Sequence, residues 1–176
     1  MQAWGIAGKP IPHSSFLIPN SSFSPTPFNL RRKAMKQFDS IEGLKNYLSG
    51  SPKNTPETAY AVKLDIGNTA DFEELDVTLR TAEKYVSLDL SGSAVTEIPE
   101  SAFFDDNRDK GSVFLIGITL PDSVMSIGKC AFYRCTSLER IALPDSLESI
   151  GEFAFYACSS LASIAIPDIR ETARFT

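Results

Sequence analysis

The chain has little of the chemistry that most catalysis depends on. A single histidine, His13, three cysteines and one tryptophan occur in 176 residues. One histidine excludes any catalytic or metal site that needs two from the same chain. Three cysteines do not make a disulfide framework. Acid is missing from residues 1–38, which carry five bases: Lys9, Arg31, Arg32, Lys33 and Lys36. No apolar run approaches the roughly 18 to 20 residues that cross a bilayer as a helix. The basic cluster follows Ser-, Pro- and Phe-rich sequence and leads into no apolar core, so no secretory signal is visible. Gly5-x-x-Gly8-Lys9 lacks both the full glycine spacing and the following hydroxyl of a phosphate loop.

What is present fits one folded domain. Apolar residues make up 43% of the chain, charged residues 22%, and the net charge is −5, which excludes full disorder. The charge is uneven. Residues 39–176 hold all 22 acids and the other 12 bases, a balance of −10. An acidic body argues against a nucleic-acid surface, which needs a clustered basic face. Residues 1–38 contain Pro10, Pro12, Pro19, Pro25 and Pro27 and are expected to be a disordered basic leader.

Regular structure is expected from residue 39 onward. Asp39 is placed to cap a helix, with Glu42 three residues later, Ile41, Leu44 and Leu48 on one face, and Gly50 to Pro52 as the stop. Val62, Leu64 and Ile66 alternate with Ala61, Lys63 and Asp65, the pattern of a strand with one buried face. Thr69 is placed to cap a second helix, with Phe72, Leu75, Leu79 and Ala82 inside and Glu73, Glu74 and Arg80 outside. A second strand is expected at Tyr85–Leu90, with Val86 at its edge. Together, residues 39–90 read as an α/β cap that ends in the first stacked strand.

The strongest signal is a repeat. Residues 115–137 and 138–160 are two copies of a 23-residue unit, identical at 14 positions. The shared residues run from Leu115/Leu138 and Ile118/Ile141 through Leu120-Pro121-Asp122-Ser123, Ile127-Gly128 and Ala131-Phe132-Tyr133 to Cys135/Cys158 and Ser137/Ser160. A third copy starts with Leu161, Ile164, Ile166, Pro167 and Asp168. An earlier one runs through Leu88, Leu90, Ile98, Ala102 and Phe103, with about six extra residues before Leu115. Leu-x-x-Ile-x-Leu turns apolar side chains inward along a short extended segment. Pro121 and Pro144 end that strand, and Gly128 and Gly151 are expected to permit a tight corner. One unit cannot bury its own apolar face, but stacked units bury a continuous core.

The run Ile118-x-Leu120-Pro121-Asp122-Ser123-Val124-x-Ser126-Ile127-Gly128-x-x-Ala131-Phe132-x-x-Cys135, with its next copy, resembles the BspA-type leucine-rich repeat. Lys84–Ser93 resembles the lead-in of bacterial members. The resemblance implies an α/β chain: a leucine-rich-repeat solenoid of short parallel strands over residues 91–168, closed by the α/β N-terminal cap, with 169–176 as an irregular tail. It also implies a protein-binding or adhesive role at a bacterial surface, with a host or bacterial surface protein as partner. Since no signal is visible, a cytoplasmic location is the alternative.

No catalytic residue, cofactor or metal site is expected. Cys135 and Cys158 share a repeat position and read as stacked buried thiols; a disulfide between them would need their Cα atoms within about 7 Å. Asp105-x-Asn107-x-Asp109 begins like a calcium loop, but Lys110 stands where the turn glycine belongs and Ile116 where the bidentate Glu belongs. Asp122, Asp145 and Asp168 read as corner residues that accept from backbone donors. Phe132, Tyr133, Phe155 and Tyr156 read as core.

Outward positions remain for binding. On the strand face these are Ser87 and Asp89, Gly117 and Thr119, Arg140 and Ala142, and Ser163 and Ala165. The candidate protein-binding residues are Asp89, Thr119 and Arg140 on that face, with Asp105 and Asp109 in the inserted loop. The alternative is a structural repeat fragment that self-associates through Leu161, Ile164 and Ile166 at an uncovered C-terminal end.

Overall fold

A computed structural model of the chain describes residues 34–105, 109–162 and 164–167. The first elements are β1 (Lys36–Phe38), α1 (Ile41–Gly50), β2 (Tyr60–Leu64), α2 (Asp71–Ala82) and β3 (Val86–Asp89). The repeats follow as β4 (Glu97–Ile98), β5 (Phe104–Asp105), β6 (Lys110–Gly111), β7 (Leu115–Thr119), β8 (Ser126–Ile127), β9 (Arg140–Ala142) and β10 (Ser149–Ile150). One sheet runs β1-β2-β3-β7-β9 and is parallel throughout. A second parallel sheet runs β4-β8-β10, and β5 pairs antiparallel with β6.

Parallel strands need a crossover, and the chain makes it in two ways. Between β1, β2 and β3 the crossover is a helix. From β7 to β9 it is the two-residue strand β8 and short turns, and from β3 to β7 it is β4 with the β5–β6 hairpin added. Helix and coil share one core. It runs without a break from Ile41, Leu44 and Leu48 of α1, through Leu88, Ile98 and Phe103, to Leu147, Ala154 and Cys158.

Lys36–Phe38 is strand where irregular leader was expected, because Lys36, Gln37 and Phe38 pair with Val62, Lys63 and Leu64. Residues 1–33 lie outside the described residues. The cap of α1 is Ser40, whose hydroxyl accepts from Gly43 N at 3.2 Å, rather than Asp39. Thr69 does not cap α2 either. Asn68 Oδ1 accepts from Ala70 N at 2.9 Å, and the Asp71 carboxylate accepts from the amides of Gly67 and Asn68. Val86 is wholly buried rather than at an edge.

Each coil is locked to the next by matching groups. Phe103 and Phe132 stack with ring centroids 5.2 Å apart, and Phe132 and Phe155 at 5.3 Å. These separations sit slightly above the spacing of paired strands, so the rings repeat with the coil. The Ser123 hydroxyl donates to Val95 O at 2.6 Å and the Ser146 hydroxyl to Val124 O at 2.7 Å. The serine beside the corner aspartate therefore bonds to the backbone, while Asp122 and Asp145 are exposed. Asp168 lies outside the described residues.

Gly128 and Gly151 are required for a different reason from the one expected. No described glycine has a positive φ. A Cβ on Gly128 would lie 2.5 Å from Glu100 N, and one on Gly151 would lie 2.5 Å from Lys129 N. These glycines let one coil's backbone press on the next. The positive φ angles of the turn fall instead on Ser101, Cys130 and Phe153, at 55°, 54° and 57°. The third copy forms no strand among its described residues, and Ile166 is exposed.

Candidate protein-binding face

The outward row of the main sheet is set by strand register. Asp89 of β3 is opposite Thr119 of β7, and Thr119 is opposite Ala142 of β9. Ser87, Gly117 and Arg140 form the adjacent row. Side chains two apart on a strand share a face, so Asp89, Thr119 and Arg140 come together on one surface. Thr119, Arg140 and Ala142 are exposed; Ser87 and Asp89 are half-buried. A slip between Val86 and Ser87 buries Ile116 and keeps Gly117 in line with Ser87. Ser163 lies outside the described residues.

Arg140 lies along this face. A Cβ on Gly117 would stand 3.5 Å from Arg140 Nε and 3.2 Å from Ser87 Oγ. The bare backbone at Gly117 thus leaves the track along which the Arg140 side chain passes toward Ser87. Asp89 is held in place: its Oδ1 accepts from Ser91 N at 2.9 Å, and Lys63 Nζ reaches Ser91 Oγ at 3.3 Å. Lys63 is also Asp89's register partner in β2. One row of the face therefore runs Lys63, Asp89, Thr119 and Ala142 and the next runs Ala61, Ser87, Gly117 and Arg140, a mixed-charge surface with hydroxyls between.

Asp105 and Asp109 lie off this face, in β5 and beside β6. Asp105 is bonded to Arg80 Nη1, and Arg80 Nη2 binds Asp76 Oδ2 at 2.7 Å. Arg80, expected outside, is a half-buried bridge between α2 and the inserted loop. Burial pushes the Asp76 carboxyl above its ordinary value, against the pull of Arg80. Asp109 bonds to Arg134 Nη1, whose guanidinium also donates to Asp109 O at 3.1 Å. The signal for Asp76 and Arg80 was present as an acid–base pair four residues apart on one helix. Asp105 gave none, being 25 residues away.

The thiols are structural. Cys135 Sγ donates to Phe103 O at 3.5 Å and Cys158 Sγ to Phe132 O at 3.0 Å, and neither forms a disulfide. Burial raises both thiol pKa values, that of Cys158 to about 11. Tyr156 was expected in the core and is 55% exposed, as Phe153 is at 57%. Among the described residues no cluster of acids and thiols could hold a metal ion, and no helix is long and apolar enough to cross a membrane.

Residues 96–174 match a family model described as BspA type leucine rich repeat region (6 copies). This stretch of the chain is similar to the BspA-type leucine-rich repeats. A crystal structure of a leucine rich repeat protein from T. pallidum is similar at 40% identity, with a TM-score of 0.41. That match covers 47% of this chain and 38% of the other, so the chain spans well under half of that relative. No curated protein matches. The match supports a repeat module for protein–protein interaction.

Proposed function

We propose that the chain is an adhesive or ligand-binding module displayed at a bacterial surface, binding a host or bacterial surface protein through the face of Asp89, Thr119 and Arg140. Residues 39–90 serve as its cap and 91–168 as its repeats. The observation that carries this reading is the exposed strand row itself. Its helices and turns lie in the crossovers, and Thr119, Arg140 and Ala142 are left open in register. A rigid parallel sheet fixes these groups before a partner arrives, which lowers the ordering cost of binding. The test is protease treatment of intact source cells beside a cytoplasmic control protein. Loss of this protein with survival of the control supports display; survival of both contradicts it.

A second reading is self-association at the C-terminal side. β9 and β10 are the outermost described strands of their sheets, and Phe153, Tyr156 and Ile166 are exposed near them. Light scattering after size exclusion separates the readings: a monomer across the concentration range sinks self-association.

A further inference from the structure

Three arginines lie among the described residues, and two of them are paired within the chain. Arg80 holds Asp76 and Asp105, and Arg134 holds Asp109. Arg140 is exposed and makes no ion pair or side-chain hydrogen bond among the described residues. It is the one described guanidinium without a carboxylate, and it stands on the strand face.

Register gives it a second donor. Ala61, Ser87, Gly117 and Arg140 share one outward row. The point where a Cβ on Gly117 would stand lies 3.2 Å from Ser87 Oγ and 3.5 Å from Arg140 Nε. Gly117 belongs to an outward row yet is buried, because these two side chains roof it. The Ser87 hydroxyl, like Arg140, has no partner among the described residues. Two donors without acceptors therefore flank one spot on the sheet.

The charge around them has one sign. Residues 39–176 carry a balance of −10, yet this face holds Lys63 and Arg140 against Asp89. The Asp89 carboxylate is engaged locally by the amide of Ser91. An acidic partner is drawn to this face and repelled by the rest of the body.

We propose that Arg140 and Ser87 bind a side-chain carboxylate, an Asp or Glu of the partner protein. The inference rests on the strand-face reading and names the chemistry that the partner presents there. A guanidinium takes a carboxylate through two parallel N–H···O bonds, and the Ser87 hydroxyl donates beside them. The fork is planar and weakly hydrated, and it already lies along the sheet, so little ordering accompanies binding.

The test runs in intact source cells. A photoreactive residue at Thr119 marks the partner, and its crosslinked yield reports binding. Arg140→Met keeps the apolar stem and is expected to lower that yield at least tenfold. Ser87→Ala is expected to lower it about threefold. Arg140→Lys places a primary amine where the guanidinium stands, and a zero-length carbodiimide then joins that amine to a carboxylate in contact with it. The expected product links position 140 to an Asp or Glu of the protein marked from Thr119. A Thr119 product unchanged by Arg140→Met or by Ser87→Ala overturns this inference and leaves the strand-face reading standing. So does coupling from position 140 that maps to a phosphate or a glycan carboxylate, or no coupling there at all. No product from Thr119 in the parent chain overturns the strand-face reading, and this inference with it.

Discussion

Cys158 donates its thiol hydrogen to the carbonyl oxygen of Phe132 at 3.0 Å, one coil back along the solenoid. Cys135 makes the same contact to Phe103 at 3.5 Å. Each thiol ties its coil to the backbone of the preceding one, and that geometry requires the proton to stay on sulfur. Burial accordingly raises the Cys158 pKa from its ordinary 9.0 to about 11. An unfolded thiol loses its proton first as pH rises. The unfolded state then binds fewer protons than the native one, so stability falls between about pH 9 and pH 11. Thermal melts across that range should show the drop, and Cys158→Ala should reduce its slope. A slope unchanged by the substitution would place the alkaline transition elsewhere. Alkylation of Cys135 in the native protein should proceed only as fast as the chain opens.

Arg80 bridges the cap and the inserted loop by holding Asp76 and Asp105 at once. Its replacement by Met keeps the apolar stem but leaves the Asp76 carboxylate buried without its cation. The expected cost is about 3 kcal/mol in denaturant unfolding at neutral pH. Asp76 itself carries a raised pKa, with burial as the largest cause. Its contribution to stability is fully present below the unfolded carboxyl's pKa and is lost as pH rises through the folded value. Asp76→Asn should therefore cost far less than Arg80→Met at pH 7. A larger loss for Asp76→Asn would show that the ion pair outweighs the burial of the charge.

Two glycines give opposite expectations for the same substitution. A Cβ at Gly128 would meet the backbone of Pro99 and Glu100 at 2.5 to 2.9 Å, and backbone cannot swing aside. Gly128→Ala should cost about 2–3 kcal/mol as coils are forced apart. Gly50 ends α1 with nothing within 4 Å of its would-be Cβ. Gly50→Ala should raise stability by about 0.5 kcal/mol through helix propensity. Differential scanning calorimetry of the pair, against the parent chain, decides both.

The repeat made the stacked strands, the buried thiols and the outward positions of Thr119 and Arg140 legible, because a fixed 23-residue period places equivalent residues at equivalent points. Period alone does not say which way a side chain points. Phe132 and Tyr133 are adjacent and equally repeated, yet Phe132 is wholly buried and Tyr133 half-buried. Tyr156 then emerges into solvent beside Phe153. The partnership of Arg80 with Asp105 depends on a loop folding back on a helix, which no local pattern encodes. At α1, Asp39 and Ser40 are both good caps, and only the backbone geometry picks Ser40. Lys36–Phe38 showed no period of its own; it is strand because Val62, Lys63 and Leu64 offered an edge to pair with.

The measurement that bears most directly on the protein-binding account is site-directed photo-crosslinking on intact source cells. A photoreactive residue replaces Thr119 on the open strand row, or Glu152 on an exposed turn off that row. The account predicts a discrete crosslinked protein from position 119, none from position 152, and loss of the first when Arg140→Glu is added. Equal crosslinking from both positions, or a Thr119 product that survives Arg140→Glu, would contradict a binding site on the strand face.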